Sequence, residues 1–289
     1  MLRPFRALIL ALSAALAVSA CAPTAQNTRV SLAEEQRRGQ QMVQQMEAKG
    51  VIMKDRNLNA YLNNVMNRVA KSRPPGSVAL RSFIVKDADV NAFTTGGGYV
   101  FFNAGLLAAM ENEAQVAAVM AHEIAHIDRG HVQAGQANRQ AVQIGAALAQ
   151  IGAAAVGIGG GLTNTLIGVG AQGAASNFSR TQERDADSVG VQYLSRAGYN
   201  AVAGAESFVV LRRLYGERDG VGALFASHPN PGERHASQVQ QARQLGSTKG
   251  RIGKQTHDRA TRKIRREVLA FYEKNGRDRE AAQIRKNLR

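Results

Sequence analysis

The chain has 289 residues, with 37 Lys and Arg against 22 Asp and Glu, for a formal net charge of +15. Its apolar content of 44% is that of an ordinary globular protein, which argues against a disordered or fibrous chain. A single cysteine excludes an intrachain disulfide and a multi-cysteine metal site. The length allows one sizeable catalytic domain with a small appendage.

The first residues have the pattern of an export signal. Arg3 and Arg6 precede an apolar run over residues 7–17, which is too short to span a bilayer comfortably. The run ends in small residues before Cys21, which predicts a lipoprotein signal that is cleaved before Cys21 and followed by acylation of that cysteine. An ordinary secretory cleavage site is the alternative. Ala22, rather than Asp, after the cysteine favours the outer membrane of a bacterium with two membranes.

The next hundred residues predict helices followed by a small sheet. Residues 31–48 and 57–70 read as helices, and residues 78–85 alternate as a strand does. Residues 90–103 predict a β-hairpin that turns at glycines 96–98. Such a hairpin would offer a free edge to an extended polypeptide, which proteases bind as an added strand. A purely structural hairpin is the alternative.

The sequence His-Glu-Ile-Ala-His at residues 122–126 specifies a metal site together with a base. Asn112 predicts the start of a helix that runs to about Gly130. On that helix His122 and His126 are four residues apart, so both imidazoles face the same side, as two zinc ligands must. Glu123 lies beside the first histidine, where it can act as the general base on a water molecule.

A third ligand is expected farther along the chain. His131 would lie about 140° around the helix from His126, so we interpret it as a residue outside the ligand set or at the helix end. Glu183 is the stronger candidate. It is followed four residues later by Asp187, so one carboxylate can bind the metal while the other holds a ligand histidine through its free ring N–H.

The segment between these ligands has no charged residue from position 140 to position 179. It holds nine glycines between residues 141 and 175, which argues against one long lipid-facing helix. We predict a helical hairpin that folds at glycines 159–161 and borders the cleft, where it would act as a lid. Contact with a membrane or with a β-barrel protein is the weaker alternative.

The C-terminal part is basic and helical. Ile264, Val268 and Tyr272 form an apolar stripe that predicts an amphipathic helix over residues 259–274, and a second short helix would follow Gly276. Residues 251–289 contain thirteen Lys and Arg against five Asp and Glu, a net of +8. A solvated helix face explains this most simply. For an exported chain, anionic lipid, lipopolysaccharide or acidic proteins are more plausible partners than nucleic acid.

These motifs together resemble the zinc metallopeptidases typified by the CAAX prenyl protease and the heat-shock protease HtpX. The soluble periplasmic branch with the BepA and LoiP proteases is the nearest likeness. The resemblance covers residues 31–241 and is carried by the histidine motif, by Glu183 with Asp187 and by four further elements: Asn91-Ala92-Phe93, Gly97-Gly98-Tyr99-Val100-Phe101, Gly105-Leu106-Leu107, and His228-Pro229 with Arg234. Family members commonly have a proline before the paired glycines, where this chain has Thr95-Gly96.

The resemblance implies an α+β, mainly α-helical fold of the gluzincin type, with a small β-sheet or hairpin beside the active-site helix. It implies one Zn²⁺ per chain, held by His122, His126 and Glu183. It also implies that His228 approaches the metal, where it either stabilises the oxyanion or blocks the open position. Arg234 would buttress His228 or contact substrate, and residues 91–93 would bind substrate.

The resulting hypothesis is a zinc endopeptidase that degrades unfolded or misassembled envelope proteins in the periplasm, anchored by lipid to the outer membrane. The alternative is a lipid-anchored assembly factor for outer-membrane proteins, in contact with the assembly machinery, with rare or conditional proteolysis. Residues 1–20 would form the signal, 21–30 the lipidated cysteine and tether, 31–246 the protease domain and 247–289 a basic helical extension. The export signal argues against nucleic acid as a partner.

Overall fold

The computed structural model describes residues 31–133, 178–216 and 231–289. Four features expected from the sequence lie outside these residues: the export signal with Cys21, the tether, the uncharged hairpin and His228. The described residues form ten helices and three strands. In chain order they are α1 (Leu32–Ala48), α2 (Arg56–Ala70), β1 (Arg81–Val85), β2 (Ala92–Gly96), β3 (Tyr99–Asn103), α3 (Ala104–Ala109), α4 (Glu113–Asp128), α5 (Arg180–Arg196), α6 (Ala201–Ala205), α7 (Ser207–Tyr215), α8 (Pro231–Gln244), α9 (Lys254–Lys274) and α10 (Asp278–Leu288).

The sheet has the strand order β1-β3-β2. Strand β3 pairs antiparallel with β2 and parallel with β1. The predicted hairpin is therefore confirmed, and Gly96, Gly97 and Gly98 at its turn all have a positive φ, which glycine adopts most readily. The predicted first strand is too long, because β1 begins only at Arg81. Among the described residues β2 is an edge strand, since it pairs only with β3.

Local capping signals determine where the principal helices begin. Ser31, Asp55 and Asn112 each accept a hydrogen bond from a backbone N–H of the first turn of their helices. Ser179 and Gln182 form a reciprocal capping box at the start of α5. These contacts satisfy N–H groups that would otherwise lack a helical partner, so the two helices that carry the predicted metal ligands start at defined residues.

The C-terminal helices pack against the body of the protein. The predicted amphipathic helix is confirmed but begins earlier than expected, at Lys254, and α10 is the second helix. Arg265 is fully buried and donates hydrogen bonds to the carbonyls of Ala108 and Met110 at the end of α3. His257, for which the sequence suggested no partner, is bonded to Met110 O and to the Tyr61 hydroxyl.

The core formed by these elements confirms the expected α+β, mainly α-helical class. One apolar cluster joins α2, α4, α5, α9 and one face of the sheet, and a second smaller cluster packs α1 on the other face. Helix α4 runs through the main cluster and is buried along most of its length. Within the described ranges, we find no helix with the length and apolar character needed to cross a bilayer.

Candidate metal centre

Two imidazoles of helix α4 lie side by side in the protein interior. His122 and His126 are both buried, and their Nε2 atoms are 3.0 Å apart. The helix puts them there because residues four apart share a face, and Asn112 at its N-cap determines where that face begins. Glu123, the residue after the first histidine, is also buried.

Helix α5 brings a carboxylate to these imidazoles. Glu183 lies in the first turn of α5, with Oε1 3.3 Å from His126 Nε2 and Oε2 3.5 Å from His122 Nε2. Gly190, two turns farther on, lets α5 approach α4 closely. A Cβ at this position would lie 3.2 Å from the backbone nitrogen of His122. A side chain there would therefore push α5 away from α4 and increase the distances from Glu183 to the two histidines.

The spacing of these three groups fits a tetrahedral metal ion. Ligand atoms about 2.0–2.1 Å from a tetrahedral zinc lie about 3.3–3.4 Å from one another. The two Nε2 atoms are 3.0 Å apart, His126 Nε2 lies 3.3 Å from Glu183 Oε1, and His122 Nε2 lies 3.5 Å from Glu183 Oε2, so each nearest-atom separation is close to that value. Two imidazoles and one carboxylate are also a donor set that leaves one coordination position for water or substrate. The cluster can therefore hold a metal ion.

A second carboxylate orients the first histidine. Asp187 Oδ1 lies 3.0 Å from His122 Nδ1, the ring nitrogen that faces away from the cluster. Arg234 donates two hydrogen bonds of 2.7 Å to Asp187, and its Nη1 lies 3.0 Å from Glu183 Oε2. Gln238 donates a further bond to Asp187. Burial would raise the pKa of Asp187, but Arg234 and His122 outweigh it and hold this pKa well below its usual value.

His126, the second histidine of the motif, is held by a hydrogen-bonded chain of its own. Its Nδ1 lies 3.0 Å from His131 Nδ1, and His131 Nε2 lies 3.1 Å from Asp185 Oδ2. Arg129 donates to the same Asp185 oxygen at 2.6 Å. With Nε2 of His126 turned to a metal, its Nδ1–H would donate to His131, which would donate to Asp185 in turn. The chain of contacts joins the end of α4 to α5, so it also holds the two ligand-bearing helices together.

Comparison with known proteins identifies the family. The model of Peptidase family M48 matches residues 53–241, which is more than half of the chain. The chain belongs to peptidase family M48. This M48 protein is therefore a metallopeptidase, as expected from the histidine motif.

Its relatives include proteases that are named for beta-barrel assembly. The putative beta-barrel assembly-enhancing protease of Vibrio cholerae is 30% identical over 198 residues, which cover 67% of this chain and 41% of that protein. The beta-barrel assembly-enhancing protease of Escherichia coli K12 is 27% identical over 231 residues, 77% of this chain and 46% of that protein. Metalloprotease LoiP of the same strain is 29% identical over 246 residues, 79% of this chain and 93% of LoiP. The chain thus spans less than half the length of the assembly-enhancing proteases that it matches.

The residues expected to bind substrate lie in and beside the edge strand of this M48 peptidase. Asn91 and Ala92 are fully buried, and Phe93 stacks on Phe101 with ring centroids 4.8 Å apart. Neither polar atom of the Asn91 amide has a hydrogen-bond partner within the described part of the chain. Because the side chains of residues 92 and 93 are occupied in the core, any substrate contact of β2 would run through its backbone.

Arg234 lies among the ligands and lines a cavity together with Glu183 and Asp187. It is only 7% exposed, and its guanidinium lies over the Phe208 ring. Its bonds to Glu183 and Asp187 hold these two carboxylates in position, and the contact with substrate or with His228 that the resemblance implies stays a prediction. His228 itself lies outside the described residues.

The sequence did not single out two groups beside the cluster and one at the hairpin turn. Phe178 stacks on His126 with ring centroids 3.8 Å apart. It lies just before α5, where no periodic sequence pattern marks it as a contact of the cluster. Asp185 stands between Glu183 and Asp187, and its role depends on a contact across two helices. Glu35 of α1 accepts the Gly97 N–H at the turn between β2 and β3, 62 residues away. Long-range contacts of this kind leave no local pattern.

Proposed function

We propose that this M48 peptidase is a zinc-dependent endopeptidase of the bacterial cell envelope that degrades unfolded or misassembled envelope proteins. The cluster of His122, His126 and Glu183 supports it most directly, because its nearest-atom separations of 3.0 to 3.5 Å are close to those among the ligands of a tetrahedral zinc ion. The names of the relatives support the envelope as the compartment.

Each residue of the cluster has a role in this proposal. His122, His126 and Glu183 hold Zn²⁺, which would supply Lewis acidity toward the scissile carbonyl when it is bound. Glu123 accepts a proton from the attacking water and passes it to the leaving amine. Asp187 keeps His122 in the tautomer that carries its proton on Nδ1, because the carboxylate accepts a hydrogen bond from Nδ1–H and leaves the Nε2 lone pair for the metal.

The groups around the cluster hold the metal ligands in position. Arg234 neutralises two buried carboxylates that would otherwise repel each other when no metal is present. His131 orients His126 through its Nδ1. His228 remains a proposed oxyanion-stabilising or inhibitory residue. Replacing it by Ala would lower proteolysis in the first case and raise it in the second, and unchanged proteolysis would remove His228 from the site.

The proposed substrate is a polypeptide in extended form, added as a strand along the edge of β2 that does not pair with β3. An edge strand offers backbone N–H and C=O groups that recognise any extended chain, with little dependence on its sequence. Unfolded or misassembled proteins present such segments and compact proteins do not. We further propose export by the leader over residues 1–20, lipidation of Cys21 and attachment to the outer membrane. Residues 31–246 would form the protease domain and residues 247–289 its basic helical extension.

The experiment is digestion of casein by the processed chain from Ala22 onward, loaded with zinc. The matched control is Glu123→Gln, which keeps the shape of the side chain and removes its basicity. We expect cleavage by the wild type and at least about a thousandfold less by the variant, with equal zinc content. Substantial proteolysis by the variant would contradict the role of Glu123. A wild type that binds no zinc would contradict the metal centre.

A second candidate function is a lipid-anchored assembly factor for outer-membrane proteins. It is favoured by the names of the relatives, which refer to beta-barrel assembly as well as to proteolysis. The discriminating test uses cells that lack the wild-type protein and receive Glu123→Gln. Restored envelope assembly would favour the binding function, whereas failure to restore it would favour proteolysis as the essential step.

A further inference from the structure

The outer face of helix α9 carries four exposed cations. Arg259, Arg262, Lys263 and Arg266 are all solvent-exposed. At 100° per residue these positions fall within about 100° of arc on the helix, so they form one face over two turns. We call these four residues the α9 basic face.

Most of this charge is not neutralised by the protein itself. In the parts of the chain that the structure describes, none of the three arginines lies within ion-pair distance of a carboxylate. Lys263 has one distant contact, 3.4 Å from Asp55, and its side chain is still 76% exposed. Several other cations of the C-terminal helices are paired; Lys286, for example, lies 2.6 Å from Glu111. The basic face therefore differs from an ordinary surface, where both signs are interspersed.

The opposite side of α9 holds this face in a fixed orientation. His257, Ile264, Val268 and Tyr272 are buried in the core. Arg265 is 1% exposed and its guanidinium is bonded to backbone carbonyls of other elements. Because those bonds would break if the helix rotated, the outer cations are presented on a rigid surface. Rigid presentation lowers the entropy lost when they bind a partner.

A groove extends the positive surface toward α2. It lies between the first turn of α2 and α9, with Met53, Leu58 and Ile264 among its lining residues. Lys54, Lys86 and Lys263 also line it, against the two carboxylates of Asp55 and Glu267. The groove and the α9 basic face share Lys263, so together they form one continuous area in which cations outnumber acidic groups.

We propose that the α9 basic face docks on an anionic phospholipid surface. Guanidinium groups pair with phosphate oxygens in a bidentate manner, and a bilayer presents many phosphates in one plane, which suits several arginines on one helix face. Each basic residue near an anionic bilayer adds to the attraction, and a polybasic patch is a common second contact beside a lipid anchor. The expected lipid on Cys21 would tether the chain, and α9 would orient it. The proposal does not depend on the peptidase activity.

The test compares vesicle partitioning of the full chain with Cys21→Ser, so that no acyl chain contributes. One vesicle population is pure phosphatidylcholine, and the other contains 30% phosphatidylglycerol. The measured quantity is the ratio of the two partition coefficients, because any apolar contribution of the leader is common to both. The test variant replaces Arg259, Arg262 and Arg266 by Gln.

The matched control variant replaces three exposed cations on other elements, Lys71, Arg243 and Lys249, by Gln and so has the same net charge. We expect the wild-type chain to prefer the anionic vesicles, and this preference to fall about a hundredfold in the arginine variant and no more than a few-fold in the control. An equal loss in both variants would mean that only net charge matters and would overturn the proposal.

Two further outcomes would also overturn it. A wild-type chain with no preference for the anionic vesicles has no lipid-docking face. Binding of polyglutamate or of single-stranded DNA to the same three arginines, without binding to vesicles, would assign the face to an acidic polymer instead. Equal melting temperatures of the wild type and both variants would confirm that the exposed substitutions leave the fold intact.

Discussion

Replacing Arg234 by Met tests whether the cluster depends on a buried cation in the absence of metal. Methionine fills a similar volume and keeps the contact with Phe208, but removes the charge and all five donors. In the wild type the guanidinium is 7% exposed, donates twice to Asp187 at 2.7 Å and lies 3.0 Å from Glu183. The variant leaves both carboxylates buried with one cation fewer.

The size of the expected loss in the free energy of unfolding follows from the burial of Arg234. Breaking a buried ion pair by removing one partner costs about 3–5 kcal/mol, because the remaining charge is uncompensated. We therefore expect the free energy of unfolding of the metal-free variant to fall by about that amount. Arg129→Met is the matched control, since Arg129 pairs with Asp185 at 2.6 Å but its side chain is 52% exposed. Solvent screens that pair, so its loss should cost less than about 1 kcal/mol.

The assay is urea unfolding of the wild type and both variants with a chelator and then with saturating zinc. With zinc, the metal replaces part of the missing positive charge, so the deficit of Arg234→Met should shrink. A metal-free loss no larger than that of Arg129→Met would refute the argument that burial sets the strength of this pair. A deficit that stays the same with zinc would refute the electrostatic link between Arg234 and the cluster.

Three other predictions test the contacts around the site and the C-terminal helices. Asp185→Ala removes the acceptor of His131 and should weaken zinc binding about tenfold in a chelator competition, whereas an unchanged affinity would contradict the relay. Burial lowers the pKa of His257 to about 3, so the folded form excludes a proton that the unfolded chain binds below about 6.5. The free energy of unfolding should then fall as the pH is lowered from about 6.5 toward 3. In metal-free protein this dependence should be shallower in His257→Gln than in the wild type, by up to about 1.4 kcal/mol per pH unit. An equal pH dependence in both proteins would count against the prediction. Arg265→Met removes bonds to Met110 O and other carbonyls and should lower the free energy of unfolding by about 2–4 kcal/mol, while a loss below about 1 kcal/mol would mean that α9 is a detachable appendage.

Local features of the sequence were sufficient for α1, α2, α4, α9, α10 and part of the sheet, whereas α3, α6, α7 and α8 were not predicted. The side chain of Asn112 caps α4 as predicted, and the glycines at 96–98 turn the hairpin. Both follow from interactions within a few residues, which the sequence records directly. The parallel pairing of β1 with β3 was not anticipated, because no local pattern specifies which non-adjacent strands meet. The early start of α9 at Lys254 follows a left-handed Gly253, a signal that the apolar stripe did not contain.

The sequence by itself determined that His122 and His126 share one helix face, because helical periodicity is a local property of the chain. It also offered Glu183 as a third ligand, but only as a carboxylate with suitable spacing to Asp187. The tertiary structure decided that this carboxylate lies 3.3 Å and 3.5 Å from the two imidazoles. That distance depends on how closely α5 packs on α4 at Gly190, and packing between helices far apart in the chain is set by the whole core rather than by any short motif.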